Sequence, residues 1–237
     1  MPRSLHNDVR EALGRRIVSG DLAAGKPLTL EWIQNEYGVS RTIARECVRS
    51  LETDGLMESR RRTGLIIRPR SEWDSLSPTV IRWQLDADPR GPKLGALTEA
   101  RAAIEPSAAA AAARRATEEE RSSILRLATL LREQSESEDL SDFLVTDIEF
   151  HSLILTASHN DVFAALTGLV AEVLSGRTRL GLYPARPEPI ALDLHDEVAR
   201  AIANGASATA EAATRSLVAE VKAALLDKGL RGFLEND

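Results

Sequence analysis

The sequence has a single cysteine, Cys47, few histidines and no long apolar run. One cysteine excludes an intramolecular disulfide and any zinc site built from several cysteines. No stretch approaches the roughly 18 consecutive apolar residues that a spanning helix needs, and the opening residues have no apolar core of secretory-signal length. We therefore expect a protein of the reducing cytoplasm, without a membrane partner.

Positive charge is also scarce overall, because the formal net charge is -6. The shortage is uneven: residues 1–70 hold 13 Lys and Arg against 9 Asp and Glu, whereas the remainder holds 17 against 27. A histone-like polycation is excluded. The asymmetry predicts two domains with different partners.

Three helices are predicted in the basic part of the chain. Apolar residues at helical spacing indicate the first over residues 5–19, which glycines and a proline then end. Thr29 and Ser40 are suitable N-caps for a second helix over residues 30–37, ended by Gly38, and a third to about residue 54. Because only the three residues GVS separate them, we predict a helix-turn-helix.

Two short apolar runs around a charged turn follow, and they predict a β-hairpin over residues 56–68. Such a hairpin would be a wing, with Gly64 in its turn. The next segment is too apolar for a free connector, so its residues Trp73 and Trp83 are expected to pack. We divide the chain into a winged helix-turn-helix, residues 1–70, a linker, residues 71–92, and a second domain, residues 93–237.

The second domain is predicted to be an all-α antiparallel bundle, which makes the fold class mainly α. The expected helices cover residues 94–115, 117–136, 139–157, 160–177, 189–204 and 206–229. Alanine runs such as SAAAAAAARRAT favour close packing of neighbouring helices, because alanine has the highest helix propensity. The long break SGRTRLGLYPARPEP has turn chemistry. Its Arg177 and Arg179 could serve an acidic ligand, but they are expected to be solvated loop charges.

An arginine stripe marks the third predicted helix. Arg41, Arg45 and Arg49 recur every four residues and so share one face, while a second face is apolar. The second helix of a helix-turn-helix enters the major groove with its N-terminal residues on the base edges. We assign base reading to Arg45 and phosphate binding to Arg49, because arginine pairs with guanine O6 and N7 but also binds phosphates.

This region resembles the winged helix-turn-helix of the GntR family of bacterial transcription regulators. The resemblance rests on VREALGRRIVSGDLAAGKPL and YGVSRTIARECVRSLETDGLMESRRRTGLII, and it covers most of residues 5–68. It implies that Arg41, Arg45 and Gly64 occupy DNA-contacting positions. Together with the predicted recognition helix and wing tip, the expected DNA-binding residues are Ser40, Arg41, Thr42, Arg45, Arg49, Arg61, Arg62 and Gly64. The family often has a basic DNA-contacting residue early in the second helix, where this chain has LEWIQ. Glu31 and Trp32 cannot play that role, so a different operator preference is expected.

Asp147 and His151 lie one helical turn apart in VTDIEFHSLILTASHND, on the same side as several apolar residues. A carboxylate and an imidazole that face an apolar interior could bind a metal, bind a buried polar ligand or satisfy each other. His195 adds an imidazole on a later helix, and Arg101 adds a guanidinium with Glu105 one turn beyond. The residues alone leave these alternatives open.

The second domain resembles the helical ligand-binding domain, called FCD, of the FadR-like GntR subfamily. The resemblance implies an effector site of Arg101, Asp147, His151 and His195. Members with the full metal site have one aspartate and three histidines, which implies Asp147, His151 and His195 as ligands of a divalent ion such as Zn²⁺. The last histidine is missing, and Leu217 takes its place by spacing.

The function predicted is a ligand-responsive transcription regulator, a repressor that binds double-stranded operator DNA as a homodimer and responds to a small organic acid. The segment after the wing resembles the linker of sugar-acid repressors, which points to an acid such as galactonate or gluconate. One alternative is a metal-responsive regulator. The other is a hydrolase or lyase that uses Asp147, His151 and His195, although no catalytic residue is assigned because no H-E-x-x-H or G-x-S-x-G motif is present.

Overall fold

The computed structural model describes residues 5–88, 92–181 and 186–227, except for the side chains of residues 220–227. The chain divides into two compact units, Met1–Pro89 and Arg90–Asp237. The first combines helices with a small sheet, and the second is helical in the part that is described. These features confirm the predicted fold class.

Unit 1 begins with a helix and ends with one that the sequence analysis did not predict. Its elements are α1 (Leu5–Val18), β1 (Pro27–Leu28), α2 (Leu30–Tyr37), α3 (Arg41–Thr53), β2 (Met57–Arg60), β3 (Gly64–Ile67), a 3-10 turn (Arg70–Glu72) and α4 (Pro78–Ala87).

The caps of α2 and α3 build the helix-turn-helix. The Thr29 side chain accepts a hydrogen bond from the Trp32 amide, and the Ser40 side chain accepts one from the Ile43 amide. Gly38 ends α2 in the left-handed conformation, with φ 62°, which costs glycine little. The predicted helix-turn-helix is confirmed with these capping residues.

The wing is a three-stranded antiparallel sheet in the order β1-β3-β2. Strand β3 pairs with β2 as predicted, and its other edge pairs with the two-residue strand β1, so that Leu28 lies opposite Leu65. Gly64 has φ 93°, and a Cβ there would come within 2.9 Å of the Leu28 carbonyl oxygen. The close approach of β1 therefore requires glycine at this position.

Helix α4 lies inside the segment that was predicted as a linker, and it packs on α1 within unit 1. The Trp83 ring is buried against Gly14, where a Cβ would meet ring carbons at 2.3 Å. Ser77 caps α4 and also donates to the Asp54 carboxylate at 2.9 Å, just beyond α3. The expectation that Trp83 packs is confirmed, and residues 89–91 of the segment lie outside the described residues.

Unit 2 contains α5 (Pro92–Arg115), α6 (Glu118–Gln134), α7 (Ser141–Ala157), α8 (Asp161–Ala164), α9 (Thr167–Arg179), α10 (Pro189–Ala203) and α11 (Ser207–Asp227). Helix α5 packs against α7, α9, α10 and α11. Its alanines 108–113 are buried, which confirms that the alanine run serves close helix packing. In the described part of the chain, no helix combines the length and apolar character needed to cross a membrane.

Two predictions for unit 2 were wrong in detail. The single helix expected over residues 160–177 is two, because Asn160 caps the four-residue α8 and a short break precedes α9. Helix α9 continues to Arg179, so Arg177 lies on a helix rather than in a loop and is only 4% exposed. Residues 182–185 of the predicted break, and the end of the last predicted helix beyond residue 227, lie outside the described residues.

Candidate DNA-binding surface and effector site

Helix α3 separates its arginines from its apolar residues as the stripe predicted. Arg41, Arg45 and Arg49 are all exposed. Its opposite face is buried in the core of unit 1 through Ala44, Cys47, Val48 and Leu51. The guanidinium groups are thus held outward by a helix whose position is fixed by packing.

The other predicted DNA-binding residues lie around this helix. Ser40 and Thr42 are exposed at its N-terminus. Arg61 and Arg62 occupy the turn between β2 and β3, where Arg62 has φ 71°, an uncommon conformation for a residue with a side chain. Gly64 comes after Thr63, as the first residue of β3. In the structure, the close approach of β1 requires glycine at position 64. This requirement is separate from the DNA-binding role that the resemblance implies.

The second constellation is buried in unit 2, where three helices bring its members together. Helix α5 carries Arg101 and Glu105, α7 carries Asp147 and His151, and α10 carries His195. None of the five residues is more than 5% exposed. Buried charged groups are rare unless they are paired, so their contacts decide what the cluster can do.

Asp147, His151 and His195 converge on one point. Oδ1 of Asp147 lies 3.1 Å from Nε2 of His195 and 3.5 Å from Nε2 of His151. One ligand atom from each residue lies within 4.8 Å of the others. The structure therefore joins all three residues that were predicted as metal ligands.

The other ring nitrogen of each histidine, Nδ1, already has a hydrogen-bond partner. Nδ1 of His195 lies 2.7 Å from the carbonyl oxygen of Ala191, and Nδ1 of His151 lies 2.6 Å from Oε2 of Glu105. Both partners can only accept, so both Nδ1 atoms carry hydrogen. In their neutral forms the two Nε2 lone pairs then point toward the Asp147 carboxylate. Such an arrangement requires a proton or a cation between these atoms.

Glu105 is the member of the buried cluster that the site prediction left out. Its carboxylate accepts from Nε of Arg101, from Nη2 of Arg101 at 3.3 Å and from His151. Its spacing of four from Arg101 was a visible signal, because residues i and i+4 meet on a helix. Its contact with His151 depends on how α5 packs on α7, which the sequence pattern does not report.

These contacts shift three pKa values. Burial alone would raise the pKa of Glu105, but the charges of Arg101 and His151 outweigh it and lower that pKa to about 2. Burial likewise opposes ionisation of Asp147, yet hydrogen bonds from His151 and His195 hold its pKa well below the usual range. Burial would lower the pKa of His151, but Glu105 and Asp147 raise it to about 9.

The donor set fits a divalent ion. Tetrahedral zinc with bonds of roughly 2.0–2.1 Å places its ligand atoms about 3.3 Å apart, close to both Asp147–histidine separations. Each histidine presents Nε2 while Nδ1 donates to an acceptor, the arrangement that metal-binding histidines usually have. At the position predicted by spacing for a further histidine, Leu217 is buried on α11, which packs on α5 and α10.

A winged helix-turn-helix with exposed arginines, joined to a helical unit with a buried polar cluster, defines a ligand-responsive class of DNA-binding transcription regulators. Two family models match the chain: "Bacterial regulatory proteins, gntR family" over residues 5–67, and "FCD domain" over residues 96–220. The chain belongs to the GntR family and carries an FCD domain.

Relatives of known description support this assignment. The "Galactonate operon transcriptional repressor" of Escherichia coli (strain K12) is 32% identical over 159 residues, 65% of this chain and 67% of that one. The "Putative L-lactate dehydrogenase operon regulatory protein" of the same organism is 31% identical over 191 residues, 78% and 72% of the two chains. The fold is shared with Lar of Listeria monocytogenes, with 16% identity, a TM-score of 0.64 and coverage of 96% and 99%.

Proposed function

We propose that this chain is a cytoplasmic transcription repressor whose operator binding is altered by a small hydroxylated organic acid. It acts as a homodimer on a two-fold symmetric operator, since the symmetry of a dimer is matched by the symmetry of its half-sites. The observation that carries the proposal is the buried cluster of Arg101, Glu105, Asp147, His151 and His195 on three helices of unit 2.

The cluster offers complementary partners for a hydroxy acid. Arginine binds a carboxylate through parallel N–H groups, and carboxylate and imidazole groups bind hydroxyls. Arg101 already donates to Glu105 through Nε and Nη2, so an incoming carboxylate shares or replaces that contact. Asp147, His151 and His195 are the hydroxyl-binding residues in this mode of recognition.

A divalent ion such as Zn²⁺ offers a second mode, in which Asp147, His151 and His195 are its ligands. A bound ion would supply the positive charge that attracts the carboxylate and adjacent hydroxyl of the acid. With only three protein ligands, positions are left for such a ligand or for water, as in open metal sites. In this mode, Glu105 and the Ala191 carbonyl oxygen hold the imidazoles of His151 and His195 in place.

The names of two relatives contain galactonate and L-lactate. Both compounds are 2-hydroxycarboxylates, in which a hydroxyl group adjoins the carboxylate. This chemistry agrees with a site that combines a guanidinium with hydroxyl-binding groups. We therefore place the effector among 2-hydroxy acids, with the sugar acids galactonate and gluconate as the first candidates.

Regulation requires the acid to bind the DNA-competent and DNA-incompetent forms with different affinities, because a ligand without such a preference shifts no equilibrium. A coupling of 1–3 kcal/mol, typical of such systems, corresponds to a change of roughly 5- to 150-fold in operator affinity. This is the size of effect that an operator titration must resolve.

The test is fluorescence anisotropy of the full chain on DNA from upstream of its own gene, with and without galactonate, gluconate and L-lactate. Propionate serves as the matched control, because it is lactate without the hydroxyl group. We expect a sequence-preferring complex that one of the hydroxy acids weakens and propionate does not. A complex that no hydroxy acid affects would overturn the proposed effector class.

Histidine variants test whether the acid acts through the buried cluster. His195→Ala should abolish the response to the acid, whereas His159→Ala should preserve it, because His159 is exposed and pairs with Glu120 at 3.0 Å. Both variants should bind operator without the acid. An unchanged response in His195→Ala would exclude the cluster as the effector site.

Metal sensing is a second candidate, supported by the convergence of three ligand atoms. It predicts that a chelator alone changes operator affinity and that zinc restores it. If chelation instead removes only the response to the acid and leaves operator affinity unchanged, the metal is part of the acid-binding site and is not itself the signal. The matching family models and relatives describe regulators, which favours this class over a hydrolase or lyase.

A further inference from the structure

A concave surface lies between the helix-turn-helix and the wing. It has a volume of about 630 Å³ and is lined by residues of α2, the start of α3 and all three wing strands. Arg41 and Arg60 contribute positive charge to it, and Glu31 contributes a carboxylate. An acidic group on a surface that meets polyanionic DNA requires an explanation.

Glu31 differs from the acidic residues around it in its contacts. Glu36, on the same helix, pairs with Arg16 at 2.6 Å, and Glu58 pairs with Arg60 at 2.5 Å. Among the residues that the structure describes, the exposed Glu31 carboxylate makes no ion pair or hydrogen bond, not even with Arg41 in the same cleft. Its acceptor oxygens are therefore open to a partner outside the chain.

The chemistry of DNA limits that partner. Phosphates repel a carboxylate, so Glu31 lowers affinity unless it meets a hydrogen-bond donor. In the major groove the donors are the amino groups of cytosine and adenine, and glutamate characteristically accepts from N4 of cytosine. Arg41 is the first residue of α3, the recognition helix, whose N-terminal residues reach base edges in the major groove, and it lines the same cleft as Glu31.

We infer that Glu31 is a specificity-determining residue, which selects a cytosine in each operator half-site by accepting a hydrogen bond from its N4 amino group. The inference depends on DNA binding by unit 1 and not on the identity of the effector. A competing explanation is purely local: Glu31 lies in the first turn of α2, where negative charge stabilises a helix. The two explanations differ in base preference, because a helix-stabilising role leaves the selected sequence unchanged.

The test is selection of binding sites from a random double-stranded DNA library by the full-length protein and by Glu31→Ala and Glu31→Gln. Glu36→Gln is the matched control, since it removes an acidic group of the same helix that is already paired. Thermal unfolding of each variant measures any loss of helix stability separately.

We expect the wild type to require cytosine at one position of each half-site, with a discrimination of roughly 5- to 150-fold. Glu31→Ala should lose that requirement, and Glu31→Gln should shift it toward adenine, which glutamine binds through N6 and N7. Glu36→Gln should select the wild-type sequence. Identical selected sequences for wild type and Glu31→Ala, with affinity merely raised on every sequence, would overturn the inference.

Discussion

Nδ1 of His151 lies 2.6 Å from Oε2 of Glu105, so the imidazole of one helix is held by the carboxylate of another. Glu105 is itself held by Arg101 on its own helix. This chain of contacts orients the ring of His151 with Nε2 toward Asp147 and His195. A ligand or metal at that point therefore depends on a residue that it does not touch.

Replacing Glu105 by glutamine should weaken zinc binding about 10- to 100-fold, the usual effect of losing the partner that orients a ligating histidine. The amide can still accept a hydrogen bond, but it lacks the charge that balances Arg101. A competition titration against a fluorescent chelator measures the affinity. Glu149→Gln, an exposed change on α7, is the control and should bind zinc as the wild type does. Equal affinity in both variants would mean that Glu105 does not support the site.

Replacing Gly14 by alanine should destabilise unit 1, although alanine favours a helix by about 1 kcal/mol over glycine. The new Cβ would lie 2.3 Å from the buried ring of Trp83, and overpacking a core costs about 1–3 kcal/mol or more. Urea denaturation followed by tryptophan fluorescence measures the loss. Adding Trp83→Leu should recover part of it, because the smaller side chain makes room. A more stable Gly14→Ala protein would refute the steric argument.

Local signals predicted most of unit 1. Caps and turn residues fix α2 and α3, and they were visible as Thr29, Gly38 and Ser40. Strand β1 has only two residues and forms because Leu28 pairs with a strand far along the chain. Helix α4 was missed for a similar reason, since its docking depends on the fit of Trp83 into the space that Gly14 leaves.

In unit 2, too, local spacing could be read from the sequence, whereas contacts between distant helices could not. Asp147 and His151 share a helix, so their spacing predicted that they face one side. The approach of His195 to within 3.1 Å of Asp147 was expected only from resemblance, because it depends on how α7 and α10 lie in the bundle. Arg177 was expected in a solvated loop, and the extent of α9 instead places it on a buried helical face.

Arg45 and Arg49 should affect DNA binding differently. Arg45→Ala should relax the sequence preference at one base pair at a cost of about 1–3 kcal/mol, because a bidentate contact to guanine is lost. Arg49→Ala should weaken binding to all sequences and reduce the slope of log affinity against log salt by about 1, because a phosphate contact is lost. Titrations on matched and mismatched operators at several salt concentrations distinguish the two. Exchanged behaviour would reverse our assignment.

The thiol of Cys47 should react slowly in the native protein. Cys47 is fully buried on the core-facing side of the recognition helix α3, and its Sγ donates to the His6 carbonyl oxygen at 3.3 Å. Burial, together with the charge of Glu46, raises its pKa to about 11. Only the thiolate is nucleophilic, and at pH 8 a thiol of this pKa is roughly 0.1% ionised, against about a quarter for a free cysteine. Burial slows the reaction further.

We therefore expect a disulfide reagent such as dithionitrobenzoate to label the native chain at pH 8 at least about 100-fold more slowly than the urea-unfolded chain, from the difference in ionisation alone. The native rate should rise about tenfold for each pH unit toward 11, since the thiolate fraction rises in that proportion below the pKa. Because Cys47 is the one cysteine of the sequence, the released chromophore reports on unit 1 directly. Rapid stoichiometric labelling of the native chain at pH 8 would show that α3 does not stay packed on the core, and the rigid presentation of Arg41, Arg45 and Arg49 would then be lost with it.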